Sequence, residues 1–140
     1  MSKSLQIDPG AEPGLQLKDE GPSPPLILVV DDDPEVRRFA ADALRAAGYR
    51  VLEAENGRRA VLLFEAHPDI ALICTDVVMP GLDGFKLADM TKFKRPGLKI
   101  VYTTAHPGEA REKLGVVHGA ILRKPYRSTQ LTQLVKQALG

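Results

Sequence analysis

Short apolar runs alternate with amphipathic stretches along the chain from residue 26 onward. The first and third of these runs, LILVV and IALICT, contain no charged residue, as expected for strands that are covered on both faces of a sheet. Proline, glycine or acidic residues interrupt the chain after most of them. We predict strands at residues 26–30, 49–54, 70–75, 98–104 and 120–124.

Between these runs, apolar residues recur three and four positions apart, which is the spacing of an amphipathic helix. Asp33, Asn56, Asp83 and Ser128 precede four such stretches, and each has a side chain that can cap the first turn of a helix. Residues 107–117 form a weaker stretch with an unclear apolar face. We therefore predict five helices, one after each strand.

Strands that alternate with helices through short connections build a parallel sheet with helices on both of its faces. Right-handed crossovers leave few topologies for a chain of this length. We predict an α/β fold of the three-layer, flavodoxin-like type. Its five-stranded parallel sheet has the strand order 2-1-3-4-5 and is flanked by five helices.

The first 25 residues differ in composition from the rest of the chain. Many of them are proline or glycine, and they show little apolar periodicity. Such a segment buries too little apolar surface to offset the entropy lost on ordering it. We predict a flexible N-terminal extension at residues 1–25 and one domain at residues 26–140.

Charge and cysteine content narrow the functional classes. Nineteen Lys and Arg residues nearly balance 18 Asp and Glu residues, so the net charge of +1 does not favour nucleic acid or anionic membranes as partners. The single cysteine, Cys74, cannot form an internal disulfide, which suits a reducing compartment. No apolar stretch reaches membrane-spanning length, and the N-terminus lacks the apolar core of a signal peptide. We expect a cytoplasmic protein.

Charged and hydroxyl side chains follow the predicted strands at their carboxyl ends. Asp31 and Asp32 follow the first strand, Asp76 ends the third, Thr104 ends the fourth, and Lys124 ends the fifth. Because parallel strands all end at the same edge of a sheet, we expect these groups to meet there.

Three carboxylates at one edge either raise one another's pKa values or hold a hard cation such as Mg²⁺. The hydroxyl of Thr104 and the ammonium of Lys124 suit the oxygens of a phosphoryl group, and Asp76 can then act as a carboxylate nucleophile. The purely structural alternative is that Asp76 caps the next turn and Lys124 forms an ordinary salt bridge.

Four motifs resemble the signatures of the response regulator receiver domain of two-component signalling. They are Leu-Val-Val-Asp-Asp-Asp-Pro at 28–34, Asp-Val-Val-Met-Pro-Gly-Leu-Asp-Gly at 76–84, Thr-Thr-Ala at 103–105 and Arg-Lys-Pro-Tyr at 123–126. The resemblance extends from about residue 26 to residue 139.

This resemblance implies that Asp76 is the phosphoacceptor. It also implies that Asp32 binds Mg²⁺ directly and that Asp31 assists through a water molecule. Asp76 itself and the backbone carbonyl of Val78 would complete the protein's set of metal ligands.

The remaining site residues also follow from the resemblance. Thr104 would contact the phosphoryl group, and Lys124 would pair with it. Asp76, Thr104 and Lys124 would thus form the catalytic set. The peptide bond between Lys124 and Pro125 is expected to be cis.

The sequence departs from the family pattern in two places. Three residues before Lys124 the family usually has Tyr or Phe, whose ring moves inward on phosphorylation, whereas this chain has Ile121. The segment between Thr104 and Lys124 is also short and contains the weak helix. Both departures concern signal output and leave the phosphorylation chemistry intact.

The function implied is that of a stand-alone phosphoacceptor switch in a phosphorelay. The phosphoryl donor would be a phosphohistidine of a sensor histidine kinase or a histidine phosphotransfer protein. The protein would catalyse only its own phosphorylation and dephosphorylation, and would signal through protein contacts or onward phosphotransfer.

Two alternatives stay open. An aspartyl-phosphate phosphatase commonly has a second acid two residues after its nucleophile, where this chain has Val78. A receiver-like binding module that is not phosphorylated is expected to lack the nucleophile or the metal-binding acids, and this chain has them all.

Overall fold

The computed structural model describes residues 23–108 and 117–140. Its apolar runs form one five-stranded parallel sheet with the order β2-β1-β3-β4-β5, which confirms the predicted strand order. The strands are β1 (Leu26–Val30), β2 (Arg50–Ala54), β3 (Ile70–Asp76), β4 (Lys99–Thr104) and β5 (Gly119–Arg123).

Four helices flank this sheet in the described residues. They are α1 (Pro34–Ala46), α2 (Gly57–Ala66), α3 (Gly84–Lys94) and α4 (Ser128–Leu139). The flavodoxin-like architecture is thus confirmed. Most of the helix predicted at 107–117 falls on residues 109–116, outside the described part of the chain.

The capping residues predicted for the first three helices are confirmed. The carboxylate of Asp33 accepts from the Glu35 and Val36 amides, and the Asn56 and Asp83 side chains each accept from the amide three residues ahead. These bonds satisfy amides that have no partner within the helix.

The prediction that Ser128 caps the last helix is wrong. Arg127 is the residue before α4, in an extended conformation, and Ser128 already lies in the helix. The side chain of Gln130 accepts a hydrogen bond from the Arg127 amide at 2.8 Å. This bond ties down the helix start from the third helical position, so no serine cap forms.

Successive side chains of a strand point to opposite faces, and both faces of this sheet are buried. Ile27 and Val29 of β1 pack with the side chains of α1 and α4. Leu28 and Val30 pack on the other face, in the core that contains the side chains of α2 and α3. The strand β1 therefore carries a buried apolar residue at every position, which is why strict alternation is absent from its sequence.

The start of α3 lies very close to the end of β3. A Cβ atom at Gly84 would come within 2.3 Å of the Asp76 carbonyl oxygen, closer than any real contact of this kind. The Gly84 amide donates to the Val77 carbonyl at 2.9 Å. Only glycine lets the helix begin this near the strand end, so the loop that follows Asp76 is held tightly against the sheet.

Candidate functional site

Three carboxylates converge at the carboxyl edge of the sheet. Asp31 and Asp76 are buried and Asp32 is exposed, and one oxygen from each lies within 4.8 Å of the others. The strand pairing explains this, because β1 lies next to β3 with Val30 opposite Thr75, which places Asp31 beside Asp76. The predicted acidic cluster is therefore present.

Lys124 reaches the same cluster from β5. Its Nζ lies 2.9 Å from Asp31 Oδ2 and 3.3 Å from Asp76 Oδ1. Cys74 and Leu122 face the α1 and α4 side of the sheet, and Asp76 and Lys124 follow them by two residues, so both point to that same side. One ammonium thus meets two buried carboxylates.

Asp76 holds its proton more tightly than an ordinary aspartate. Burial raises its pKa, the charge of Lys124 opposes the rise, and the negative charge of Asp31 adds to it, with a net pKa of about 6. The shorter bond of Lys124 goes to Asp31, so Asp76 is only partly compensated.

Burial alone would lower the pKa of Lys124. Its hydrogen bond to Asp31 and the charges of Asp31 and Asp76 outweigh burial, so the pKa is raised and the side chain stays charged. The pocket therefore holds three acids against one fixed cation. An oxygen-rich cluster with excess negative charge fits a hard divalent cation such as Mg²⁺.

Thr104 lies at the end of β4, next to this cluster. It is buried, and its Oγ1 accepts a hydrogen bond from the His106 amide at 3.2 Å. Its carbonyl accepts from the Lys124 amide at 2.8 Å, which extends the pairing of β4 with β5 up to Lys124. A backbone hydrogen bond thus holds Thr104 and Lys124 next to each other.

Val78 lies in the loop between β3 and α3, and its side chain is 70% exposed. The preceding residue is fixed on both sides, because the Val77 amide donates to Thr103 and its carbonyl accepts from Gly84. The loop that carries the Val78 carbonyl therefore begins at a held position beside Asp76. The role of this carbonyl as a metal ligand stays a prediction.

The Lys124–Pro125 peptide bond is cis, as predicted. The next residue, Tyr126, packs its ring 6.0 Å from that of Phe39 on α1, and burial raises the pKa of its hydroxyl. Both rings line an apolar cleft of about 440 Å³ beside Lys124. The sequence alone gives no sign of this cleft, since its walls come from elements far apart in the chain.

An aromatic ring does lie next to Ile121, but it comes from another strand. Tyr102 of β4 pairs with Ile121 in the sheet and is fully buried, with its ring centroid 4.8 Å from that of Phe85. Its hydroxyl accepts from the His118 amide at 3.1 Å. The His118 ring in turn lies 2.7 Å from Asp89 on α3.

Arg37 is a further residue of the site that was not predicted from the sequence. Its guanidinium donates to the backbone carbonyl of Asp31 at 2.8 Å and lies 3.4 Å from Glu53. No pattern of residue types predicts such a contact, because the acceptor is a main-chain oxygen.

Comparison with known proteins agrees with this arrangement. Residues 27–136 match the family model described as the response regulator receiver domain. The response regulator receiver protein CpdR of Brucella abortus is 33% identical over 115 residues, which span 81% of this chain and 95% of that protein. The positive alginate biosynthesis regulatory protein of Pseudomonas aeruginosa is 39% identical, but this chain spans only 46% of its length.

Solved structures agree as well. The receiver domain of the hybrid histidine kinase CckA has a TM-score of 0.71 and 33% identity, and the match covers 82% of this chain and 99% of that one. The response regulator TrrA of Thermotoga maritima, solved with Mg²⁺ and beryllofluoride, has a TM-score of 0.69 and 28% identity over the same shares of the two chains.

No helix within residues 23–108 or 117–140 has the length and apolar character needed to cross a bilayer.

Three observations lead to one family assignment. They are a parallel sheet in the order β2-β1-β3-β4-β5, an acidic cluster at its carboxyl edge and a match over residues 27–136. This chain belongs to the response regulator receiver domain family of two-component signalling.

Proposed function

We propose that this chain accepts a phosphoryl group from a phosphohistidine onto Asp76 and thereby acts as a switch in a two-component phosphorelay. The observation that carries the proposal is the position of Asp76. It is a buried carboxylate that lies 3.3 Å from the ammonium of Lys124 and within 4.8 Å of two further carboxylates.

The reaction uses this chain's residues in separate roles. An oxygen of Asp76 attacks phosphorus, the bond from phosphorus to the donor imidazole nitrogen breaks, and its electron pair stays on the imidazole. Lys124 turns from Asp76 toward a phosphoryl oxygen, and the hydroxyl of Thr104 donates to another. Asp31 keeps its bond to Lys124 and so holds the ammonium near the reacting group.

Asp31, Asp32, Asp76 and the carbonyl of Val78 would hold Mg²⁺. The ion supplies positive charge that neutralises the incoming phosphoryl oxygens. Since three acids face one lysine, the pocket lacks the positive charge that phosphoryl transfer requires unless a cation binds.

The donor would be a sensor histidine kinase or a histidine phosphotransfer protein in the cytoplasm, as the resemblance to the CckA receiver and to CpdR supports. The phosphorylated protein would signal by binding another protein or by passing the phosphoryl group on. In the phosphatase alternative, Val78 would have to be the second acid, and its side chain cannot take that role.

The proposal is tested with a small acyl phosphate, acetyl phosphate, as the donor. The intact mass of the protein is expected to rise by one phosphoryl group with Mg²⁺ and to stay unchanged with a chelator. The added mass should disappear in alkali or hydroxylamine, because acyl phosphates are labile there. Modification without divalent metal, or modification stable to alkali, would contradict the proposal, and sustained turnover of a phosphate ester would favour the phosphatase.

A second prediction concerns how strongly the region around Ile121 and α4 changes when the protein is activated. Ile121 is branched at Cβ and stiff, and the interior beside it is already filled by Tyr102, whose hydroxyl is bonded. We therefore expect beryllofluoride with Mg²⁺ to shift the backbone amide NMR signals of residues 103–108 more than those of Leu131, Leu134 and Val135. Equal or larger shifts along α4 would show that the activation change does reach that helix.

A further inference from the structure

Arg37 lies in the first turns of α1, and its guanidinium is fixed at two points. Nη1 donates to the backbone carbonyl of Asp31 at 2.8 Å, and Nε lies 3.4 Å from Oε1 of Glu53 on β2. The side chain is only 19% exposed. A charged donor this well shielded makes a stronger bond to a carbonyl than a solvated one.

All four polar groups of Asp31 have a partner. Its amide donates to Ala54 at 3.2 Å, and its carboxylate accepts from the Asp33 amide at 3.0 Å and from Lys124 at 2.9 Å. The carbonyl is the fourth group, and Arg37 holds it. Because β1 ends at Val30, the sheet ladder no longer fixes this carbonyl, so a side chain has taken over that role.

The Asp31 carbonyl determines where Asp32 lies. A peptide group is planar, so the carbonyl of Asp31 and the Cα of Asp32 belong to one rigid plane. Asp32 itself is exposed, unlike the other two acids of the cluster. Rotation of this plane would swing the Asp32 carboxylate away from Asp31 and Asp76.

Glu53 supports Arg37 from the edge strand. Its carboxylate also lies 3.2 Å from Arg45 and 3.9 Å from Arg38, so three arginines of α1 share one acid of β2. Arg45 further donates to the Val51 carbonyl at 3.2 Å, which ties α1 to the strand beside β1. Of these arginines, Arg37 is the one that reaches the Asp31 carbonyl.

We propose that Arg37, braced by Glu53, is a positioning residue that sets the plane of the Asp31–Asp32 peptide and thereby the affinity of the acidic cluster for a divalent cation. The proposal rests on the proposed function only in its use of the metal site. It requires no phosphoryl donor and no partner protein.

The test compares Mg²⁺ binding to Arg37→Ala, Arg37→Lys and Arg38→Ala by calorimetric titration of the unphosphorylated protein. Arg37→Ala is expected to raise the Mg²⁺ dissociation constant by about tenfold, the scale seen when a group that orients a metal ligand is removed. Arg37→Lys should recover part of the loss, because an ammonium can still donate to the carbonyl but cannot fork to Glu53 as well.

Arg38→Ala is the matched control. Arg38 is the neighbouring arginine, it is 68% exposed, and its contact with Glu53 is the longest of the three. Its loss should leave the dissociation constant unchanged. Thermal unfolding with chelator measures the effect of each substitution on the stability of the metal-free protein. If Arg37 is a positioning residue, the losses of stability among the variants are not expected to parallel their losses of Mg²⁺ affinity.

Unchanged Mg²⁺ affinity in Arg37→Ala, with normal binding by the wild type, would overturn this inference and leave the proposed function intact. An equal loss in Arg38→Ala would also overturn it, since the effect would then come from the general charge of α1. Failure of the wild type to bind Mg²⁺ would instead remove the metal site from the proposed function and this inference with it. If Arg37→Ala does not fold, Arg37→Lys carries the test, with wild-type affinity as the contradicting result.

Discussion

Replacing Asp76 with asparagine is expected to reduce phosphorylation by acetyl phosphate to background while the fold is retained. Asparagine has nearly the same shape, but its amide cannot act as the carboxylate nucleophile. Asp76 is 7% exposed and its carboxylate is paired with Lys124 at 3.3 Å, so it is the acid best placed to meet a phosphoryl group near that ammonium. Intact mass spectrometry after incubation with acetyl phosphate and Mg²⁺ measures the effect.

Asp83→Asn is the matched control for that substitution. Asp83 lies seven positions after Asp76 and caps α3 by accepting from the Lys86 amide at 2.9 Å. Asparagine caps a helix about as well as aspartate, so this variant changes the same functional group without disturbing the helix. Full labelling of Asp83→Asn is expected. A phosphoryl group that persists in Asp76→Asn, mapped to a serine or threonine, would contradict the role of Asp76.

The same substitution is expected to stabilise the metal-free protein at neutral pH. The pKa of Asp76 is raised from 3.8 to about 6 by burial, against the opposing charge of Lys124. Between these two values the folded protein binds more protons than the unfolded chain, so the free energy of unfolding falls as pH rises. The loss begins near pH 4, is complete above about pH 6, and amounts to about 3 kcal/mol, because each pKa unit is worth about 1.4 kcal/mol.

Urea unfolding in chelator at a series of pH values checks this expectation. Wild type and Asp76→Asn should differ little below pH 4, and the variant should be more stable above pH 6. Addition of Mg²⁺ should narrow the gap for the wild type, since a bound cation compensates the charge of Asp76. If the free energies of unfolding of the two proteins change in parallel from pH 4 to pH 8, the charge of Asp76 does not destabilise the folded protein.

The fold could be predicted because its signals are local and repeated. Each buried strand is an apolar run, and each of the first three helices begins after a residue whose side chain accepts from the first turn. The charged core of the site followed from topology. Asp31, Asp76 and Lys124 lie at the carboxyl ends of β1, β3 and β5 in one parallel sheet, so they were expected to meet at its carboxyl edge.

The features that were missed depend on packing between elements. Arg37 occupies a position that a helical pattern assigns to a partly exposed arginine, and its partner is a carbonyl. Tyr102 occupies the space beside Ile121 because of the register between β4 and β5, which residue types alone do not specify. At Ser128 the residue type suggested a cap, but the side chain of Gln130 had already satisfied the Arg127 amide.

The charged groups of the site enter the chain in a fixed order during synthesis. Asp31 and Asp76 are made first, whereas Lys124, which bonds to both, follows 48 residues after Asp76. At about 5–20 residues per second, a ribosome adds that stretch in roughly two to ten seconds. Throughout this interval the nascent chain carries the acids without the ammonium that compensates them, and β4 has no β5 to pair with. Under the proposed chemistry, an unfinished chain therefore cannot accept a phosphoryl group from a kinase. The protein can be phosphorylated only once β5 and Lys124 have been made.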